Sequence, residues 1–218
     1  MAASALTEVD LANMALTMLG QQPISDLTDD NNRAKMANQR YADVRDTVLR
    51  AHTWNCAIKR ASLASADGTA PAWGYANRFT LPSGFIRMAG TEDPLIDYRV
   101  EAGNDTGSNT LFLLTDATAI NILYIYQVTQ VPYMDHTLKH AIATRLAAEI
   151  AVALTGDIQQ EHMLMQKYEA ILMQATFEDS SSHHTMESIQ GRYFLESRLG
   201  GGVYRDIDAP DGGYPYVP

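Results

Sequence analysis

Several features that mark particular classes of protein are scarce or missing in this sequence. Among 218 residues only Cys56 is a cysteine, which excludes an intramolecular disulfide framework and fits synthesis in a reducing compartment. No stretch approaches the roughly 20 consecutive apolar residues of a membrane-spanning helix, so we expect no membrane-spanning segment. The segment Met1 to Asp10 has no basic residue followed by an apolar core, so we expect no secretory signal.

Basic residues are also too few to balance the acidic ones. Sixteen Lys and Arg stand against 26 Asp and Glu, a formal net charge of −10. A chain this acidic repels a nucleic-acid backbone, so sequence-specific DNA binding is not expected. The first 60 residues are balanced in charge. Their arginines include Arg33, Arg40, Arg45 and Arg50 on one predicted helix, which forms either a solvated face or an electrostatic docking surface.

Motifs for catalysis and cofactor binding are missing too. There is no Gly-Lys dipeptide and no Gly-x-Gly-x-x-Gly after a predicted strand, so nucleotide-dependent chemistry is not expected. Cys56 lies among apolar residues, which suits an inert buried thiol. His136 and His140 are one helical turn apart, but without a third ligand they are better interpreted as surface histidines than as a metal site.

Three acidic pairs invite comparison with the two carboxylates of a glycosidase. They are Asp29-Asp30, Glu92-Asp93 and Glu178-Asp179. Adjacent residues on a helix or strand point apart, so helix capping and solubility explain these pairs better. We therefore expect a protein that is not an enzyme and has no cofactor.

Apolar periodicity predicts two helices in the first 55 residues. The first follows the capping pattern Thr7-Glu8-Val9-Asp10 and stops at Gly20. The second follows the cap candidates of Thr28-Asp29-Asp30-Asn31. Its apolar face is formed by Ala34, Ala37, Tyr41, Val44 and Val48, with charged residues largely opposite.

Helical periodicity returns after residue 134. A third helix is expected from a cap at Asp135 to Gly156, with Arg145 and Glu149 spaced for an ion pair. A fourth helix follows Asp157 and is expected to end near Phe177.

The region between these helix pairs has the composition of strands and turns. We predict strands over Arg78 to Leu81, Phe85 to Ala89, Leu95 to Val100, Leu111 to Leu114 and Ala119 to Gln127. The last is apolar on both faces and is expected to be the central strand. Residues 180–218 are rich in Gly and Tyr, which favours an extended arm that docks on a partner or a frayed tail.

These patterns predict an α+β fold: a four-helix core, an inserted antiparallel β-rich subdomain and an extended C-terminal arm. The expected boundaries are 1–55 and 135–179 for the core, 56–134 for the insertion and 180–218 for the arm.

Several short motifs, taken in order, resemble one family. They are Leu19-Gly20-Gln21-Gln22-Pro23-Ile24-Ser25-Asp26-Leu27, an Ala-rich helix with Tyr41 and Arg45, Val48-Leu49-Arg50, Trp54-Asn55 and Leu81-Pro82. In this series the chain resembles the head-to-tail adaptor proteins of tailed bacteriophages, known in short-tailed phages as tail tubular protein A. The resemblance covers about Leu6 to Asp179, and its scaffold motif is Gly20, Pro23, Tyr41 and Trp54.

The resemblance implies a structural virion protein at the head-tail interface, assembled in the host cytoplasm. Members of this family form a ring, commonly of twelve copies, between the portal protein and the tail nozzle or tube. The ring extends the DNA channel and is a platform for tail assembly. DNA passes through the lumen during packaging and ejection without sequence-specific binding.

Two surfaces become candidates for contacts in such a ring. Arg33, Arg40 and Arg50 are candidate subunit-interface residues, since each subunit of a ring presents two different faces. Tyr193, Phe194, Tyr204, Tyr214 and Tyr216 are candidate anchors of an arm that docks on the portal. Two alternatives stay open: a tail-associated glycan or peptidoglycan hydrolase, and a tail terminator or completion ring.

Overall fold

The structure, a computed structural model, describes residues 6–64, 71–103 and 110–182. These residues form four α-helices and six β-strands. The helices are α1 (Glu8–Met18), α2 (Asn32–Ala51), α3 (His136–Thr155) and α4 (Ile158–Ser182). The strands are β1 (Ile58–Leu63), β2 (Asn77–Thr80), β3 (Phe85–Thr91), β4 (Tyr98–Gly103), β5 (Thr110–Thr115) and β6 (Ile120–Tyr126). All six strands lie between α2 and α3. The predicted α+β class, four helices with an antiparallel β insertion, is confirmed. Of the predicted arm, residues 180–182 belong to α4, and residues 183–218 lie outside the described residues.

Helix α1 begins and ends as its sequence predicts. Thr7 and Asp10 form a reciprocal capping box, with the Thr7 backbone N–H donating to Asp10 Oδ2 over 2.7 Å. At the other end Gly20 adopts φ 68°, a conformation that costs a residue with a Cβ. The Gly20 N–H donates to Thr17 O and the Gln21 N–H to Leu16 O, the two bonds of a Schellman motif.

The other helices are also capped by polar side chains at their N-termini. Asn31 Oδ1 accepts from the Ala34 N–H, and Asp135 Oδ1 accepts from the Leu138 N–H. Asp157 Oδ1 accepts from the Gln159 N–H at the start of α4. Helix α4 runs to Ser182, past the predicted end near Phe177.

One large apolar cluster unites the helices. It includes Leu11 and Leu16 of α1, Val48 of α2, Ile142 of α3 and Ile171 of α4. Residues 146–154 of α3 are apolar nearly all round apart from Glu149, and the helix packs against both α1 and α2. Its predicted ion pair is confirmed: Arg145 Nη2 donates to Glu149 Oε1 over 2.7 Å.

The β insertion consists of two three-stranded antiparallel sheets, ordered β1-β6-β3 and β2-β5-β4. Side chains from both sheets meet in a second, smaller cluster that includes Phe79, Leu113, Ile122 and Tyr124, so the sheets form a small sandwich. The five predicted strands are present within a few residues, but β1 was not predicted.

Strand β6 is central in its sheet, as predicted. It is apolar on both faces because it serves two cores. Ile120, Ile122 and Tyr124 face the sandwich cluster, whereas Ile125 belongs to the helical cluster.

Candidate functional site

The exposed surface of α2 is where the sequence placed the candidate interface arginines. Arg40 is exposed, and Arg33, two helical turns earlier on the same side, is half-buried. Arg50 is exposed but already used within the chain: its Nη1 donates to Ile86 O of β3 over 2.9 Å. The three arginines therefore do not form one free patch, and Arg40 is the one most open to a partner.

Arg45 was grouped with these surface arginines, and that grouping was wrong. Arg45 is only 7% exposed. Its Nε lies 2.9 Å from Asp46 Oδ1, and its Nη1 lies 4.0 Å from Glu8 Oε1 at the start of α1. Asp46 Oδ2 accepts from Gln127 Nε2 over 2.6 Å. These contacts connect α1, α2 and Gln127, the residue that follows β6, so Arg45 has a structural role.

Tyr41 lies in the same region of α2. Its hydroxyl is buried and has no hydrogen-bond partner among the described residues. Burial raises the pKa of Tyr41 far above its usual value, and the nearby Glu8 carboxylate raises it further. The phenol is therefore neutral at any physiological pH and contributes through packing.

The turn between α1 and α2 holds the first scaffold residues. Pro23 precedes Ile24, and one side chain, that of Asn13, makes hydrogen bonds with both the N–H and the carbonyl of Ile24. Asn13 Oδ1 accepts from the Ile24 N–H over 2.8 Å, and Asn13 Nδ2 donates to Ile24 O over 2.9 Å. This amide fixes the turn against α1, a contact that sequence spacing did not predict.

The five-residue stretch after α2, His52 to Cys56, has side-chain contacts with α4, with β3 and with the N-cap of α3. His52 Nε2 lies 2.5 Å from Asp179 Oδ2, and Asn55 Nδ2 donates to Asp179 Oδ1 over 2.8 Å, which fixes the end of α4. Thr53 Oγ1 accepts from Arg87 Nη2 of β3 over 2.7 Å. We call this stretch the His52–Cys56 junction.

Trp54 is the apolar centre of the junction. It is 1% exposed, packs within the helical cluster and donates from Nε1 to Val48 O over 2.9 Å. Trp54 therefore anchors the end of α2 in the helical core and not on the β sandwich.

Cys56 ends the junction beside the cap of α3. Its Sγ lies 3.5 Å from Asp135 Oδ2. Burial, the largest effect, raises the pKa of the Cys56 thiol to about 11. A thiol that keeps its proton is a poor nucleophile at neutral pH, which supports a structural role.

His136 and His140, interpreted from the sequence as surface histidines, lie at the start of α3. His136 is exposed. Burial, Lys167 and His136 together lower the pKa of the half-buried His140. No cluster of three or more His, Cys, Asp or Glu side chains suited to a metal occurs in the described residues. Asp29 Oδ2 accepts from the Ser25 and Asp26 N–H groups, so it closes a loop.

A groove and an exposed loop in the β insertion were missed by the sequence interpretation. The groove lies between β3 and β4 and has a volume of about 500 Å³. The loop carries Leu95, which is 91% exposed. Only the acidic pair Glu92-Asp93 beside Leu95 could have directed attention to this loop. The arm candidates Tyr193, Phe194, Tyr204, Tyr214 and Tyr216 lie outside the described residues.

No model of a known protein family matches the chain, and no curated protein is significantly similar to it in sequence. In the ranges that the structure describes, no helix is long and apolar enough to cross a membrane.

Proposed function

We propose that this chain is a head-to-tail adaptor of a tailed bacteriophage, a structural protein that forms a ring between portal and tail nozzle. The observation that carries the proposal is the ordered series of motifs that resembles this family. Its residues occupy joints of the fold: Gly20 at the end of α1, Arg45 between two helices and Trp54 at the end of α2. Motif residues at the connections between elements determine the fold, and the function is inferred by analogy with the family that the motifs resemble.

The charge of the chain supports this role. A ring of twelve copies would carry about −120 in formal charge, so DNA would slide through the lumen without adhering. The candidate partners are therefore other copies of this chain, the portal and the tail nozzle or tube. The Gly/Tyr-rich segment that follows α4, residues 183–218, is the candidate arm for the portal.

Exposed apolar side chains on α4 support association with other proteins. Met163, Met173 and Phe177 are each more than half exposed. Met163, Ala170 and Phe177 are spaced seven residues apart and Met173 lies one turn before Phe177, so all four line one side of the helix. A stripe of this kind is typical of a surface that a partner covers.

Electron microscopy of the purified protein, alone and mixed with portal, tests the proposal. We expect rings in at least the mixture. If neither sample contained rings or portal-bound copies, the adaptor proposal would fail. Rings that do not bind portal would favour a tail terminator. In a separate assay, release of sugar from a cell-wall or glycan substrate would favour the hydrolase.

Charge reversal on α2 tests the subunit-interface candidates. We expect Arg40→Glu to weaken ring assembly measured by light scattering, because Arg40 is exposed. Lys35→Glu is the matched control, since Lys35 is on the same helix and is paired with Asp30 of its own chain. Equal assembly by both variants would remove Arg40 from the interface.

Truncation after Ser182 tests the arm. The shortened chain retains all four helices, so it should fold and bind portal more weakly than the full chain. Full affinity for portal in the truncated protein would eliminate the arm as a docking element.

A further inference from the structure

The sandwich of the β insertion has an open side. There β3, an edge strand of one sheet, and β4, an edge strand of the other, flank a groove of about 500 Å³. Its apolar lining includes Phe85, Met88 and Val100, which extend the sandwich core, and Leu111, which is 38% exposed. The groove therefore exposes side chains of the type that the rest of the sandwich buries.

The rim of the groove is basic. Arg50 and Arg87 both line it, and in the described residues neither lies within salt-bridge distance of a carboxylate. Arg50 donates to Ile86 O, and Arg87 donates to Thr53 Oγ1 and Met88 O, all neutral acceptors. Burial and the neighbouring Arg50 guanidinium lower the pKa of Arg87. Two like charges held close in an apolar groove favour an anionic occupant.

The remaining charges in the groove do not neutralise the rim. Arg99 and Glu101 also line it, and they pair with each other, Nε to Oε1, at 3.1 Å. The groove as a whole thus combines three guanidiniums with one carboxylate. Its chemistry fits an apolar side chain surrounded by acidic groups.

The loop between β3 and β4 presents such a group. Leu95 is 91% exposed, and Glu92, Asp93 and Asp97 surround it in sequence, all exposed. Asp93 holds the loop in shape: its Oδ1 accepts from the Leu95 N–H over 2.9 Å, and its backbone O accepts from Thr91 Oγ1 over 2.9 Å. We call Leu95 and its acidic neighbours in this loop the knob. The knob is preorganised, which reduces the entropy lost on binding.

We propose that the Leu95 loop of one copy docks into the β3–β4 groove of a second copy, with Leu95 on Leu111 and the acidic side chains against Arg50 and Arg87. Leu95 is almost fully exposed in its own chain, so its own groove does not bind it. The proposed ring requires the contact to be head-to-tail, in which case each copy keeps one free knob and one free groove. This interface deepens the adaptor proposal and rests on it for closure into a ring.

Two variants that each remove one surface test the proposal by sedimentation. Leu95→Asp removes the knob, and Leu111→Asp combined with Arg50→Glu removes the groove. Each variant alone should associate roughly 30-fold more weakly than the wild type, as expected for the loss of a central interface residue. An equimolar mixture should form dimers that grow no further, because only one intact knob and one intact groove remain.

Trp73→Asp is the matched control, because Trp73 is 83% exposed on another loop of the same insertion, and it should associate like the wild type. Circular dichroism shows whether each variant folds. Three results would each overturn the interface: a wild type that stays monomeric at the highest concentration it reaches, a Leu95→Asp variant that associates normally, or a mixture without dimers.

Electron microscopy with portal separates this proposal from the adaptor proposal. Normal rings built from Leu95→Asp would leave the adaptor in place and eliminate this interface. A different result would support the interface and contradict the adaptor: the wild type forms open chains and does not bind portal, and Leu95→Asp does not form such chains.

Discussion

The helical core and the β insertion bury their apolar side chains to very different extents. In the described residues the helical cluster contains thirty buried hydrophobic side chains, whereas the sandwich cluster contains six. The insertion also leaves strand edges open and exposes Trp73 and Leu95 almost completely. The helices therefore provide most of the stability, whereas the insertion contributes a smaller core and leaves large apolar side chains exposed.

The two tryptophans give the sharpest test of this difference. Trp54→Ala should reduce the free energy of unfolding by about 3–5 kcal/mol, because it empties a buried site and leaves Val48 O without its donor. Trp73→Ala should change it by less than about 0.5 kcal/mol, because that indole is in water. Urea denaturation followed by circular dichroism measures both. Similar losses would mean that the insertion is as tightly packed as the core.

Cys56 reports on the boundary between the two regions. With a pKa of about 11, its thiol should react with a disulfide reagent at pH 8 roughly 100-fold more slowly than an unperturbed thiol of pKa 9.0. Between about pH 9 and pH 11 the thiol stays protonated in the folded state but loses its proton in the unfolded state. The free energy of unfolding should therefore fall as the pH rises through this range. Cys56→Ser should remove this part of the pH dependence. Fast reaction at pH 8 in the folded protein would show that the boundary opens readily.

One carboxylate, that of Asp179, connects the end of α4 to two residues of the His52–Cys56 junction. Asp179→Ala removes the acceptor of both His52 and Asn55 and should reduce stability by about 1–2 kcal/mol. Hydrogen exchange should rise in the last turns of α4. Glu169→Ala, at an exposed position of the same helix, is the control and should leave exchange unchanged. Unchanged exchange in Asp179→Ala would mean that the other contacts of this helix end, such as the hydrogen bond from Thr137 to Glu178, are sufficient to hold it.

A glycine pair gives the smallest effect. Gly20→Ala should cost about 1 kcal/mol, because Gly20 has φ 68° while the space that the added methyl group would occupy is open, so only backbone strain opposes it. Gly90→Ala in β3, where the space is also open and φ is not positive, should stay within about 0.5 kcal/mol of the wild type. Thermal unfolding of both variants measures the difference. Equal effects would show that Gly20 is not required for the end of α1.

Local patterns predicted the helices well. Thr7, Asp135 and Gly20 act through bonds to residues nearby in sequence, so their spacing alone shows the helix ends. Two-sided burial of β6 was also visible, because a strand between two cores is apolar throughout. Strand β1 was missed because its exposed residues, such as Lys59 and Arg60, interrupt an alternating pattern on an edge strand.

The candidate sites were less predictable, because they depend on distant residues. Periodicity placed Arg45 among surface arginines, but the approach of Glu8 from α1 makes it a buried ionic partner. Arg50 and Arg87 are 37 positions apart in the chain, and the groove that they line exists only once two sheets have formed. The pairing of His52 with Asp179 spans 127 positions and has no local sequence pattern.

That long separation determines the order in which the molecule can form during synthesis. The N-terminal helices leave the ribosome first, but their apolar faces are covered only when α3 and α4 follow the whole β insertion. At roughly 5–20 residues per second, the 127 residues from His52 to Asp179 take on the order of 10 s to translate. During that interval the apolar faces of α1 and α2 are open to chaperones and to nascent chains on neighbouring ribosomes.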